Sequence, residues 1–110
     1  MGILKEFEID ILQRLAIQKL SSLLIEQLSD EGELVELYFT GVGYFLTLRH
    51  SSLPEDRVVL DRPIISGTAG ELQTGFIAFV ENGEVTLECY SFGNDAVPGN
   101  FRDLDVRVNE

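Results

Sequence analysis

The chain has 110 residues, 45% of them hydrophobic, with 19 acidic against 8 basic side chains and a formal net charge of −11. This length predicts one domain spanning 1–110, and the apolar content excludes a disordered chain, which cannot offset the entropy of ordering its backbone. The acidity excludes nucleic acid and anionic membrane as partners, since both repel such a field, and it favours encounter with a basic protein.

The first 32 residues are predicted to be helical. Residues 3 to 29 contain no proline and are rich in Leu, Gln, Glu, Lys and Ala, and Gly32 follows as a stop. The expectation is one long helix with a kink or a break near Asp10, where Asp10 and Gln13 resemble a capping box. Its apolar residues form two ridges, Ile3-Phe7-Ile11-Leu15 and Leu12-Ala16-Leu20-Leu24-Leu28, with Ile9, Ile17 and Ile25 outside both. That is wider than the stripe needed to lie on a sheet. The surplus is covered by strands of the same chain, by another protein, or by a second copy in a homodimer formed through residues 3–28.

From Glu33 the apolar period changes to two. Val35, Leu37 and Phe39 alternate with Glu36 and Tyr38, and a turn at Gly41-Val42-Gly43 puts Tyr44, Leu46 and Leu48 on the same face. The opposite face carries Glu36, Tyr38, Phe45, Thr47 and Arg49. Residues 57–60 read as a short strand ended by Pro63, and Ser66-Gly67-Thr68-Ala69-Gly70 as a flexible loop. A glycine-rich phosphate loop is not expected there, because such a loop leads into a helix and here a strand follows.

The strongest local signal is Asn82-Gly83, the type I′ hairpin dipeptide, set between two alternating runs. The two-residue turn pairs Val80 with Val85, Ala78 with Leu87 and Phe76 with Cys89 on a dry face. Ile77 then lies opposite Glu88, and Phe79 opposite Thr86, with Tyr90 nearby, on a mixed one. Residues 101–108 read as a final edge strand whose charges discourage edge pairing. The helical segment 1–32 followed by the sheet segment 33–110 gives an α+β fold, an N-terminal helix packed on an antiparallel β-meander of about five to six strands. The expected core is Leu12, Ala16, Leu20, Leu24, Val35, Leu37, Phe39, Leu46, Leu48, Phe76, Ala78, Val80, Leu87 and Cys89.

No residue is assigned a catalytic or metal-binding role, and no cofactor is expected. Cys89 faces the core by strand parity while His50 sits in a polar loop, where it reads as a solvated side chain, so the two do not form a nucleophile pair. A lone cysteine and an acidic N-terminal stretch without a secretory pattern or a membrane span lead to the expectation of a cytoplasmic protein.

The segment Gly75–Gly93, GFIAFVENGEVTLECYSFG, followed by Pro98, resembles a pattern of small bacterial immunity proteins of polymorphic toxin systems. In that pattern a strand ending in an acidic-Gly turn leads into Leu-Glu, an aromatic, a small residue, a second aromatic and Gly, with Pro a few residues later. The resemblance covers residues 75–98. It implies a non-enzymatic inhibitor that binds a cognate toxin, a basic toxin domain in the reading favoured by the charge, and covers its active or substrate-binding face. Glu36, Tyr38, Glu88, Tyr90, Phe92 and Asp95, on the mixed faces or in the loop after the second hairpin, are the expected partner-binding residues. The alternative is a homo-oligomeric structural or small-ligand-binding module that uses the broad apolar helix as its interface.

Overall fold

The computed structural model describes residues 2–17, 19–93 and 95–110. Two helices come first, α1 (Glu6–Leu15) and α2 (Ser22–Glu31), and six strands follow: β1 (Glu33–Phe39), β2 (Gly43–Arg49), β3 (Val58–Ala69), β4 (Leu72–Glu81), β5 (Glu84–Ser91) and β6 (Arg107–Asn109). They form a single antiparallel sheet in the order β1-β2-β5-β4-β3-β6. The α+β class expected from the sequence is what the structure has. The strand succession is interrupted twice: after β2 the chain passes β5 and β4 to enter at β3, and after β5 it passes β4 and β3 to add β6 at the far edge.

The hairpin across Asn82-Gly83 forms as the dipeptide dictates. Both residues have positive φ, 54° and 74°, and the register pairs Val80 with Val85, Ala78 with Leu87, Phe76 with Cys89 and Ile77 with Glu88. The β1–β2 hairpin keeps its expected parity at Leu37–Leu46 and Phe39–Tyr44, turning through Gly41 at φ 92°. A bulge between Leu34 and Glu36 then breaks the alternation. Val35, expected in the core, is therefore 42% exposed.

Three further expectations are corrected. The long helix is two helices, and the break falls at Ala16–Ser21 rather than near Asp10. There the Leu20 N–H donates to the Ala16 carbonyl at 2.9 Å, and the Ser21 hydroxyl caps α2 by accepting from the Leu24 N–H at 3.1 Å. Gln18 of this connection lies outside the described residues. The short strand and flexible loop at 57–70 are one strand, β3, which passes Pro63 with a register shift between Leu60 and Ile65 and continues to Ala69. Ser66, Gly67 and Thr68 are paired on both sides, with β4 and with Asn109, Val108 and Arg107 of β6. The predicted final strand is shorter: residues Phe101–Asp103 form a 3-10 turn, and only Arg107–Asn109 joins the edge.

The helices cover one face of the sheet. α1 lies over β3, β4 and β6 and packs against α2, and Phe7, Ile11, Leu12, Leu15, Ile25 and Leu28 meet Tyr44, Leu46, Leu48, Phe76, Ala78, Val80, Val85, Leu87 and Cys89. Leu20, Leu24, Leu37 and Phe39 of the expected core are only partly buried and pack on its margin. Ile25, which fell outside both ridges of a continuous helix, is fully buried because the break rotates α2 relative to that reckoning. An aromatic chain crosses this layer: Phe7 meets Phe76 and Phe101 edge-on at 6.2 and 6.0 Å, and Tyr44 stacks on Phe39 at 5.5 Å. His50 is tucked in, its side chain 10% exposed, with Nδ1 accepting the Ser52 N–H at 3.0 Å, which corrects its reading as a solvated loop residue.

Candidate partner-binding face

The other face of the sheet is covered by none of the described helices. Its side chains follow from the strand register and run in rows across the strands. Tyr38, Phe45, Glu88 and Ile77 make one row; Glu36, Thr47, Thr86, Phe79 and Val59 make the next, toward the Asn82-Gly83 turn. Thr47 and Thr86 share a hydrogen bond of 2.9 Å, which stiffens the centre of the face. Tyr38 is 57% exposed, and Phe45, Ile77, Phe79, Glu88 and Tyr90 are half-buried.

Tyr90 is positioned by two glycines. It pairs with Gly43 on β2 and with Gly75 on β4. Its ring lies over Gly75 so closely that a Cβ there would stand 2.5–2.7 Å from the phenol atoms. The absence of a side chain at Gly75 is what lets the ring lie across β4. Phe92, just past β5, meets Tyr90 edge-on at 6.0 Å and is 40% exposed.

Of the six expected partner-binding residues, Glu36, Tyr38, Glu88 and Tyr90 share this face and Phe92 borders it. Asp95 is apart from them. It is exposed in the loop after Phe92, a loop held beside the β1–β2 turn by the Val97 N–H donating to the Gly41 carbonyl at 2.9 Å. Phe45, left out of the expected set, stands between Tyr38 and Glu88; the period-two pattern of β2 already placed it on the mixed face.

The charges on this face are unevenly matched. At the end nearest the Asn82-Gly83 turn, Arg49 binds Glu33 at 3.0 Å and also Glu84. Arg57 lies 5.1 Å from the centre of the Phe79 ring, with an Nη1 3.8 Å from Glu81. Glu36 and Glu88, farther along, have no ion pair among the described residues.

On the helix side the structure contains a buried polar cluster that sequence reasoning did not find. Glu8 has no solvent exposure. Its Oε1 accepts the Lys5 N–H and an Arg102 Nη2, both at 2.8 Å, and its Oε2 accepts Arg102 Nε at 2.8 Å and the Tyr44 hydroxyl at 2.6 Å. Arg102 Nη2 also donates to the Ile3 carbonyl at 2.9 Å. Both carboxylate oxygens are therefore committed to fixed donors and have no room for a substrate proton, which makes the cluster a structural tie. Hydrogen bonding to Glu8 pushes the Arg102 pKa up, and burial, reinforced by the Glu8 charge, pushes that of Tyr44 up as well.

Burial likewise pushes the Cys89 thiol from an ordinary 9.0 to about 12. The unfolded thiol ionises first, so Cys89 stabilises the fold fully below about pH 9 and loses that contribution as pH rises toward 12. Urea midpoints of the native protein are expected to fall between pH 9 and 11, with a shallower slope in Cys89→Ala. An equal slope in both would show that the thiol titrates normally.

A surface hollow of about 530 Å³ lies away from the open sheet face, between the two helices, and is lined by Gly2, Leu4, Glu6, Ile9, Glu26, Ser29 and Asp30. Among the described residues no group of three His, Cys, Asp or Glu side chains is placed to hold a metal ion, and no helix is long and apolar enough to cross a membrane. Comparisons of the chain with protein-family models, with curated proteins and with solved structures return no match.

Proposed function

We propose that this protein is a non-enzymatic acidic binding protein, an immunity protein that neutralises a cognate bacterial toxin by covering its active or substrate-binding face. The observation that carries the reading is the open side of the sheet, where Tyr38 on the edge strand β1 and Phe45, Glu88 and Tyr90 on the adjoining strands β2 and β5 are held side by side while the opposite side is sealed by helices. Partly exposed aromatics give a protein interface its anchors, and the surplus of carboxylates steers it toward a basic partner. The likeness of residues 75–98 to small immunity proteins points the same way. The cytoplasm is the compartment in which such a protein would act on a toxin that enters or is made in the cell.

The test is co-expression with the toxin encoded by the adjacent gene. Binding in a pull-down, with protection from toxicity that is lost on Glu88→Lys together with Asp95→Lys, is the expected result. Absence of binding, together with protection unaffected by the charge reversals, would remove the reading. The second reading, a homodimer through residues 3–28, draws on the exposure of Ile17 and Leu23. Sedimentation as a tight dimer that Ile17→Glu dissociates would favour it.

A further inference from the structure

Three pairs on the open face repeat one arrangement. Glu36 and Tyr38 on β1, Glu88 and Tyr90 on β5, and Glu81 and Phe79 on β4 each set a carboxylate and an aromatic ring two residues apart on one strand, hence on one face about 7 Å apart. The register orients all three alike, with the carboxylate nearer the Asn82-Gly83 turn and the ring farther from it. One of the three shows what the arrangement accepts. Arg57 lies over the Phe79 ring at 5.1 Å and reaches Glu81 at 3.8 Å.

A guanidinium suits such a pair better than an ammonium does. It is planar and weakly hydrated, so it stacks on a ring face while its edge donates to a carboxylate; a lysine offers a compact, strongly hydrated charge. Glu36 and Glu88 have no cation from the described residues, and the net charge of −11 favours a basic visitor. We propose that Glu88–Tyr90 and Glu36–Tyr38 each receive an arginine side chain of a basic protein partner, held as Arg57 is held by Phe79 and Glu81. With β2 between β1 and β5, the two arginines stand about 10 Å apart across the strands. Phe45, beside Glu88 and next to Tyr38, forms the apolar floor between them. This inference rests on the binding role proposed for the open face and names its chemistry.

Hexa-arginine and hexa-lysine serve as probes, titrated into the 15N-labelled protein at low salt and followed by amide shifts. Saturable shifts at Tyr38, Phe45, Glu88 and Tyr90 are expected, with arginine at least about threefold tighter than lysine. Glu88→Gln should remove those at Glu88 and Tyr90, and Glu36→Gln those on β1. Arg57→Ala should open the third pair and add shifts at Phe79 and Glu81. Equal binding of the two peptides at these residues overturns the arginine assignment while leaving the face as a site for basic proteins. Shifts spread over the other carboxylates and unaltered by the substitutions, or no gain at Phe79 in Arg57→Ala, overturn it outright. Failure of the toxin assay would instead remove the immunity reading and leave the peptide result to stand by itself.

Discussion

Arg102→Met is expected to lower the stability of the fold by about 3–5 kcal/mol, because it leaves the Glu8 carboxylate buried without its counter-charge. Two of the four donors to Glu8 belong to Arg102, and the remaining two, the Lys5 N–H and the Tyr44 hydroxyl, are neutral. Urea unfolding should show the midpoint shifted with the slope against denaturant unchanged. Glu8→Leu in the Arg102→Met background should recover much of the loss, since an apolar pair of similar volume avoids desolvating either charge. A cost below about 1 kcal/mol for Arg102→Met would mean that water reaches the carboxylate and that the pair behaves as a surface salt bridge.

The second large effect distinguishes the two sides of the sheet. Phe76→Ala is expected to cost about 3–5 kcal/mol, and Phe79→Ala, three residues on along the same strand, about 1 kcal/mol. Phe76 is sealed beneath α1, edge-on to Phe7, and packs so tightly on β3 that a Cβ at Gly67 would stand 2.8 Å from its ring. Phe79 is half-buried on the open side and touches Arg57. Thermal or urea unfolding of the two variants reads the difference directly. Equal costs would mean that something of the same chain closes over Phe79, and the binding face would be lost with it.

How much of this was legible in the sequence depends on how local the cause was. The β4–β5 register follows from two residues, Asn82 and Gly83, and the alternation beside them, so every pair was readable. The bulge at Val35 was not, because no glycine or proline marks it and the alternation of β1 reads smoothly through it. β3 was misread for the opposite reason. Its Pro63 and the Ser66-Gly67-Thr68-Ala69-Gly70 run carry turn chemistry, yet only Gly70, at φ 62°, is in a turn, and Gly67 is small because Phe76 and Val106 press against it.

The helix break was signalled by Ser21, a good cap, but the continuous leucine ridge outweighed it. The four open-face residues were legible from period two alone, whereas Asp95 depends on a loop path that no periodicity describes. Glu8 shares a helical stripe with Leu12 and Leu15, a carboxylate on an apolar face. Its partner, 94 residues away, could not be named without the fold.

That separation has a consequence for synthesis. On the ribosome Glu8 emerges long before Arg102, and at about 5–20 residues per second the interval is roughly 5–20 s. An α1 that docked in that interval would bury the Glu8 carboxylate with only the Lys5 N–H and the Tyr44 hydroxyl as donors, so its seating gains its counter-charge only when the C-terminal segment arrives.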